Sequence, residues 1–548
     1  MADRNREFDE EIRKGFEHYA SLAPEVATFA GLHAWDDLLP PAREEQLRSR
    51  LEVFGAWAKT IDAFDRSSLS PDRALDADLL QLLHRLLRFE VLDVKPWQSN
   101  PDGLGDLGNL FFVMTFVDYE SEDIRFAHLA SRLEALPKYL EETRARVTKP
   151  EPRWCRIAAE VAQSFPSMLD GLCAGAREKA PSLIARIDAA AGAARVAAKE
   201  HEVWCAARGK GPEFWMLGTE RFDKLLELKG IELTASEIEA LGEKTLRELG
   251  AERARLCEQI APGKGFDGAM KILKSEHPAT FEEAIETVRR LVAETRARVV
   301  SDGICELPEG EELAVMETPE FMRTLTPFAA IFPAMKFARV QRGLYIVTRP
   351  LSPEGLAEAH LYDLRNVVTH EGYPGHHVQL ATANRKTSVL RSVDFGGFPS
   401  WGGATFAIDL VEGWAHYCEQ LMKEHGFCDT PKDRLVLVND ALWRAARIVL
   451  DVRLHQCRIG FDEAVAFLRE TTGMSREGAT AEVNRYTGSP TYQLSYLVGK
   501  HLLLALREEF RAAAGTRYAE KDFHRTVLES GNIPVSWIAR AWRASRAA

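Results

Sequence analysis
Apolar residues recur at helical spacing along almost the whole of this 548-residue chain, and that pattern limits the fold more than any other feature. "LDADLLQLLHRLLRFEVL" (75–92), "HLASRLEALPKYLEETRARV" (128–147), "PSLIARIDAAAGAARVAAKEHEV" (181–203), "ASEIEALGEKTLRELGAERARL" (235–256) and "FEEAIETVRRLVAETRARVV" (281–300) all carry it. Thr280 stands where a cap for the last of these is needed. No segment repeats at a fixed period, which argues against a solenoid, and no long Gly/Ser-rich or Pro-rich linker divides the chain.

The periodicity fails between about residues 303 and 350. "ICELPEGEELAVMETP" and "MKFARVQRGLYIVTRP" set β-branched and aromatic runs between Gly and Pro, a pattern of short strands. Helices are then expected from Ser352–Pro353 through the segment ending "VVTHEG", from near Trp401, and from Thr430–Pro431. The expected fold class is therefore mainly α, a two-lobed helical body with a small β-sheet. Its halves are expected to be a helical lobe over 1–300 and a second lobe over 301–548 that carries the sheet. The edge of such a sheet can hold an extended peptide by main-chain pairing.

With 46% hydrophobic and 28% charged residues the chain can bury a large core. Its formal net charge of -12 argues against general nucleic-acid or anionic-membrane binding. The locally basic "ETRARVTKPEPRWCR" is interrupted by acids and reads as a solvated helix face. The opening residues lack the apolar stretch and cleavage site of a secretion signal, and no apolar run approaches the ~20 residues of a membrane span. Eight scattered cysteines without a CxxC pair suit reduced thiols in a cytoplasmic protein.

"VVTHEGYPGHHVQLA" (367–381) almost reads as the zinc-protease signature HExxH, but its second histidine comes late. On a straight helix His376 points about 120° away from His370, and His377 regains the face but lies about 10 Å along the axis. Ligand nitrogens around tetrahedral zinc stand only about 3.3 Å apart, so a straight helix fails for both. Pro374 cannot supply the N–H that the His370 carbonyl expects, and Gly375 permits almost any backbone angle. A two-residue bulge here would return His376 to the usual ligand position, and His377 is the alternative. The second "HE", His201–Glu202, has no histidine following at useful spacing and reads as a surface helix pair.

A third ligand is available in "WGGATFAIDLVEGWAHYCEQLMKEHG" (401–426), where Glu412, His416 and Glu419 share one helix face. Glu412 lies among apolar neighbours and needs a partner, either His416 or a metal. Asp363, about two turns before His370, and Asp409, about one turn before Glu412, are candidates to orient the proposed ligands. Tyr373 either lines a cleft or anchors the bulge, and Trp401, Trp414 and Trp443 read as core.

"HEGYPGHHVQ" and "EGWAHYCEQL", with "SLAPEVATFAGLHAWDDLLP" near the start and "EVNRYTGSPTYQLSYLVGK" near the end, resemble the bacterial domain-of-unknown-function 885 family. That family looks like a helical relative of the gluzincin metallopeptidases. The resemblance implies one Zn2+ on His370, His376 and Glu412, with Glu371 as general base. Zinc so held keeps one position open for water. Tyr496 is then the expected oxyanion donor, while Tyr492, on the same face of a helix opened by Pro490, and Arg485 are expected to bind substrate. His416 would stand behind the ligands or touch substrate.

The expected function is hydrolysis of short peptides. Hydrolysis of other amides or esters is the nearest alternative. A non-haem iron oxygenase also uses two histidines and one carboxylate, but its sites usually sit on strands. A non-catalytic helical binding protein is the remaining alternative.

Overall fold
The computed structural model describes residues 2–323, 326, 329–350, 352–396 and 405–547. The periodic segments form the helices Pro71–Arg88, Glu122–Arg146, Ile184–Ala206, Ala235–Ile260 and Phe281–Ser301. Their ends follow local chemistry. Thr280 accepts from the Glu283 N–H at 3.1 Å, and Thr234 and Glu237 cap each other reciprocally. Among the described residues no helix is long and apolar enough to cross a membrane.

The region without helical periodicity supplies a three-stranded sheet in the order β1–β3–β2. β1 (Glu311–Glu317) runs parallel to β3 (Gln341–Val347), and β2 (Ala329–Phe332) runs antiparallel to it. The protein is therefore mainly α with one small sheet. Strand alternation divides β3 between two cores: Tyr345 and Val347 join one apolar cluster, and Ile346 joins the other. The first cluster links Phe8, Phe54 and Leu83 to Val368, Trp414, Leu421 and Phe523, so the first ninety residues share a core with the C-terminal helices. The second gathers the helices between residues 104 and 198 around Phe111, Leu133 and Leu169.

Several local expectations are corrected. Ser352 does cap, but what it caps is the short 3-10 turn Pro353–Glu358; the helix carrying His370 is Leu361–Glu371, capped by His360. The start expected near Trp401 lies outside the described residues, and the described helix there begins at Ile408. Thr430–Pro431 opens Pro431–His455 as expected. The last site helix begins at Ser495 rather than at Pro490, because Thr491 takes a positive φ of 65°. Asp451 holds that turn by accepting from the Thr491 and Leu494 N–H groups at 3.2 and 3.3 Å.

The basic stretch is not simply solvated: Arg146 is buried, donates to the Asn100 carbonyl at 3.2 Å, and is lowered to about 10 by burial. His201 is also buried, 3.1 Å from the Pro101 carbonyl, because its face of the Ala-rich helix packs inward. Among the eight free cysteines, six are buried, Cys428 is half-buried and Cys457 is exposed.

Candidate metal centre
The first helix of the site stops at Glu371, and a second, His376–Lys386, starts after the four-residue turn Gly372–Gly375. A continuous helix with a two-residue bulge is thus replaced by a complete break. Pro374 has no N–H to continue the ladder, and Gly375 lies against the His370 and Thr369 carbonyl oxygens where no Cβ fits. The Tyr373–Pro374 peptide is cis. Trp414, fully buried as expected of a core residue, donates its indole N–H to the Pro374 carbonyl at 2.9 Å and ties the turn to the next helix.

The break turns His376 back toward His370. Their rings stand nearly perpendicular, 4.7 Å between centroids. Glu412, on helix Ile408–Glu424, completes the group. Its Oε2 is 3.5 Å from His370 Nε2 and 3.4 Å from His376 Nε2, and one ligand atom from each of the three residues lies within 4.8 Å of the others. All three side chains are buried. Burial pushes the Glu412 carboxyl up, yet the two imidazoles reverse this and hold it well below the usual carboxylate range. His370 is raised to about 10, since Glu412 and Glu419 outweigh the opposing effect of burial.

His377 takes a different direction. Its Nε2 meets Glu311 on β1 at 2.7 Å, and the same carboxylate accepts from Tyr373 at 2.5 Å and pairs with Arg296 at 2.8 Å. Tyr373 is buried and anchors the turn to the sheet rather than lining a cleft.

Glu419, to which the sequence assigns no role, sits behind the group. It accepts from His370 Nδ1 at 2.7 Å, from Asn366 at 3.2 Å and from Arg444 at 3.2 Å. A carboxylate on the far nitrogen leaves His370 Nε2 directed at Glu412. The available signals were positional: Glu419 lies two turns after Glu412, and Asn366 one turn before His370. Nothing local marked Arg444. His416 stands beyond Glu419 at 3.3 Å, fully buried and lowered to about 3 by burial, so it faces no substrate space. Asp363 and Asp409 do not bond the candidate ligands. The Asp363 N–H donates to the His360 cap, and Asp409 accepts from the Val535 N–H at 3.0 Å.

Tyr492 and Tyr496 approach because helix Ser495–Ala514 crosses Ile408–Glu424 at two glycines. A Cβ on Gly413 would meet Gly499 Cα at 2.6 Å, and one on Gly499 would strike the Asp409 carbonyl oxygen. Tyr496 stacks over His370 with centroids 6.4 Å apart, and the Arg447 guanidinium lies 4.8 Å from the Tyr496 ring centre. Tyr492 donates to Glu412 Oε1 at 2.8 Å, so its hydroxyl is placed on a candidate ligand. Arg485 pairs with Glu482 at 3.0 Å and, together with Tyr492, lines a cavity of about 1870 Å³. Glu371 is half-buried at the end of its helix. Burial holds its carboxyl above the usual range against the pull of His370 and His376.

The donor set fits a divalent metal. Two neutral-capable imidazole nitrogens and a carboxylate oxygen converge, and that oxygen, Glu412 Oε2, is buried with no hydrogen-bond partner. Such a group calls for a cation.

The pattern of the family described as "Bacterial protein of unknown function (DUF885)" matches residues 24–541. The chain belongs to this family. Two solved structures share its DUF885 fold across nearly their full lengths. A "putative lipoprotein of unknown function" from Shewanella oneidensis is 22% identical with a TM-score of 0.77, covering 98% of this chain and 99% of that one. A "putative lipoprotein" from Colwellia psychrerythraea is 18% identical with a TM-score of 0.80, covering 99% of each. No curated protein matches the chain.

Proposed function
We propose that this DUF885 protein is a zinc-dependent hydrolase of short peptides, with His370, His376 and Glu412 as the ligands. The observation that carries the reading is the unpartnered Glu412 Oε2 between two imidazole nitrogens, with Glu371 next in sequence to one of them. Zinc at this place supplies Lewis acidity toward a carbonyl and toward water.

The chain's own residues do the rest. Glu371, with its carboxyl raised, takes the proton of the attacking water and returns it to the leaving amine. Tyr496, beside His370, donates its hydroxyl to the developing oxyanion. Tyr492 fixes the carboxylate orientation of Glu412, and Arg485 faces the cavity where substrate enters. β2 is an edge strand lining the same cavity, which suits an extended peptide held by main-chain pairing.

The proposal includes a gluzincin-like cleft in a two-lobed body, with residues 1–300 as its wall and 301–548 as the catalytic part. It also includes a cytoplasmic location, which eight unpaired thiols favour. Amides and esters other than peptides suit the same groups.

Elemental analysis of chain purified without added metal tests the reading. About one zinc per chain is expected, lost in His376→Ala and Glu412→Ala, with Glu371→Gln keeping the metal but cleaving no peptide in a mixed library. Iron in place of zinc would favour an oxygenase. No metal, and none taken up when offered, would leave a helical binding protein.

A further inference from the structure
Two guanidinium groups near Tyr496 share one carboxylate. Glu482 Oε2 accepts from Arg447 at 3.0 Å, from Arg485 at 3.0 Å and from the Tyr486 hydroxyl at 2.8 Å, so one carboxylate serves two guanidinium groups. Arg447 is buried between Trp443 and Tyr496, with ring centres 4.0 and 4.8 Å from its guanidinium carbon. Arg485 is the more exposed of the two cations on that oxygen, with 39% of its side chain accessible against 6% for Arg447. It lines the large cavity beside Asn484 and Tyr492. A guanidinium offers five N–H donors in a fixed plane, and the bond to Glu482 uses one.

The Arg485 guanidinium also lies at a defined reach from the candidate ligands. The Arg485 guanidinium carbon is 5.9 Å from the centre of the Tyr492 ring, and the hydroxyl of that ring is 2.8 Å from Glu412 Oε1. The path through Tyr492 from guanidinium to candidate ligand is therefore no longer than about 12 Å, or about three residues of extended chain. An anion held by Arg485 would lie within about three residues of a bond presented at Glu412. On a peptide backbone, the anion every free chain carries at a fixed place is the terminal carboxylate, whose two oxygens match a guanidinium bidentately.

We infer that Arg485 recognises the free α-carboxylate of a short peptide, so that this site acts at carboxyl termini and releases fragments of one to about three residues. The inference deepens the hydrolase reading and rests on it. Hydrolysis adds water across one amide, leaving a new carboxylate on the retained part and a free amine on the released fragment.

The test uses binding, so that it does not depend on turnover. The zinc-loaded full chain carrying Glu371→Gln is mixed with randomised N-acetyl tetrapeptides prepared as free acids and as amides. Bound peptides are counted by mass spectrometry after gel filtration. Free acids are expected to be enriched at least about tenfold over amides. Arg485→Gln should abolish the enrichment, and Arg485→Lys should restore part of it. Equal capture of acids and amides, capture of neither, or enrichment that persists in Arg485→Gln overturns the inference.

Rates with the unmodified, zinc-loaded chain separate the two proposals. Hydrolysis of acids and amides at equal rates keeps the hydrolase reading and rejects the carboxylate site. Selective binding of acids without hydrolysis of any peptide keeps the carboxylate site and rejects the hydrolase.

Discussion
Gly375→Ala is the sharpest test of how the backbone builds the candidate metal centre. A Cβ at this position falls 2.5 Å from the Thr369 carbonyl oxygen and closer still to that of His370, whereas real Cβ atoms essentially never come within 3.0 Å. Both obstacles are backbone atoms, so the turn itself has to move, by about 1 Å. Metal–ligand distances tolerate about 0.2 Å, and the moving segment directly joins His370 to His376. The variant should therefore bind zinc at least about 100-fold more weakly, a loss of about 2.7 kcal/mol. Overpacking should reduce stability by about 1–3 kcal/mol, leaving a folded chain in which the comparison can be made.

Gly372→Ala is the internal control. Its Cβ would approach the Val368 carbonyl oxygen at 2.9 Å and the flexible end of Leu313 at 3.2 Å, a much milder contact. It should weaken zinc only a few-fold, roughly 1 kcal/mol or less. Affinity is measured by competition against a chromophoric chelator, and folding by circular dichroism. A Gly375→Ala chain that binds zinc within threefold of the parent would refute the argument that this glycine sets the ligand geometry.

Three further outcomes follow from the same contacts. Glu419→Gln keeps the volume but removes the charge behind His370, and zinc affinity should drop about 10–100-fold; unchanged affinity would reject its positioning role. Tyr492→Phe should weaken zinc about fivefold, the loss of one hydrogen bond of about 1 kcal/mol to Glu412. Tyr496→Phe should instead leave zinc affinity alone and slow hydrolysis about 100-fold or more, and a full rate would exclude Tyr496 as the oxyanion donor.

Far from the site, burial lowers His201 to about 4 from its ordinary 6.5, so it is neutral in the fold while the unfolded chain takes up a proton below about pH 6.5. Its contribution is complete above pH 6.5 and is lost as pH falls toward 4, by roughly 2 kcal/mol between pH 7 and pH 5. Denaturant titrations at the two pH values should show a smaller loss in His201→Gln; an identical loss in parent and variant would mean that this ring is not the proton acceptor.

The sequence by itself determined that the chain is mainly helical, where a short sheet interrupts it, and which residue types are available for a metal. Those are properties of neighbours along the chain: a 3.6-residue apolar period, Thr280 and Thr430 as caps, β-branched runs between Gly and Pro. His370 and His376 are only six residues apart, and the Pro374–Gly375 pair between them already signalled a departure from a straight helix. That signal did not distinguish a bulge from a full break, because the difference lies in what the turn packs against, Trp414 on another helix and Glu311 on a strand.

Tertiary structure alone decided the rest. The direction of His377 depends on Glu311, 66 residues earlier, and the orientation of His370 on Glu419, 49 residues later. The approach of Tyr492 to Glu412 depends on the Gly413–Gly499 crossing, and the sharing of Glu482 depends on Arg447, on another helix, reaching the oxygen that Arg485 also holds. Local pattern shows which groups a segment can offer. Which buried charge meets which partner is set by helices that pack only once the whole core has closed.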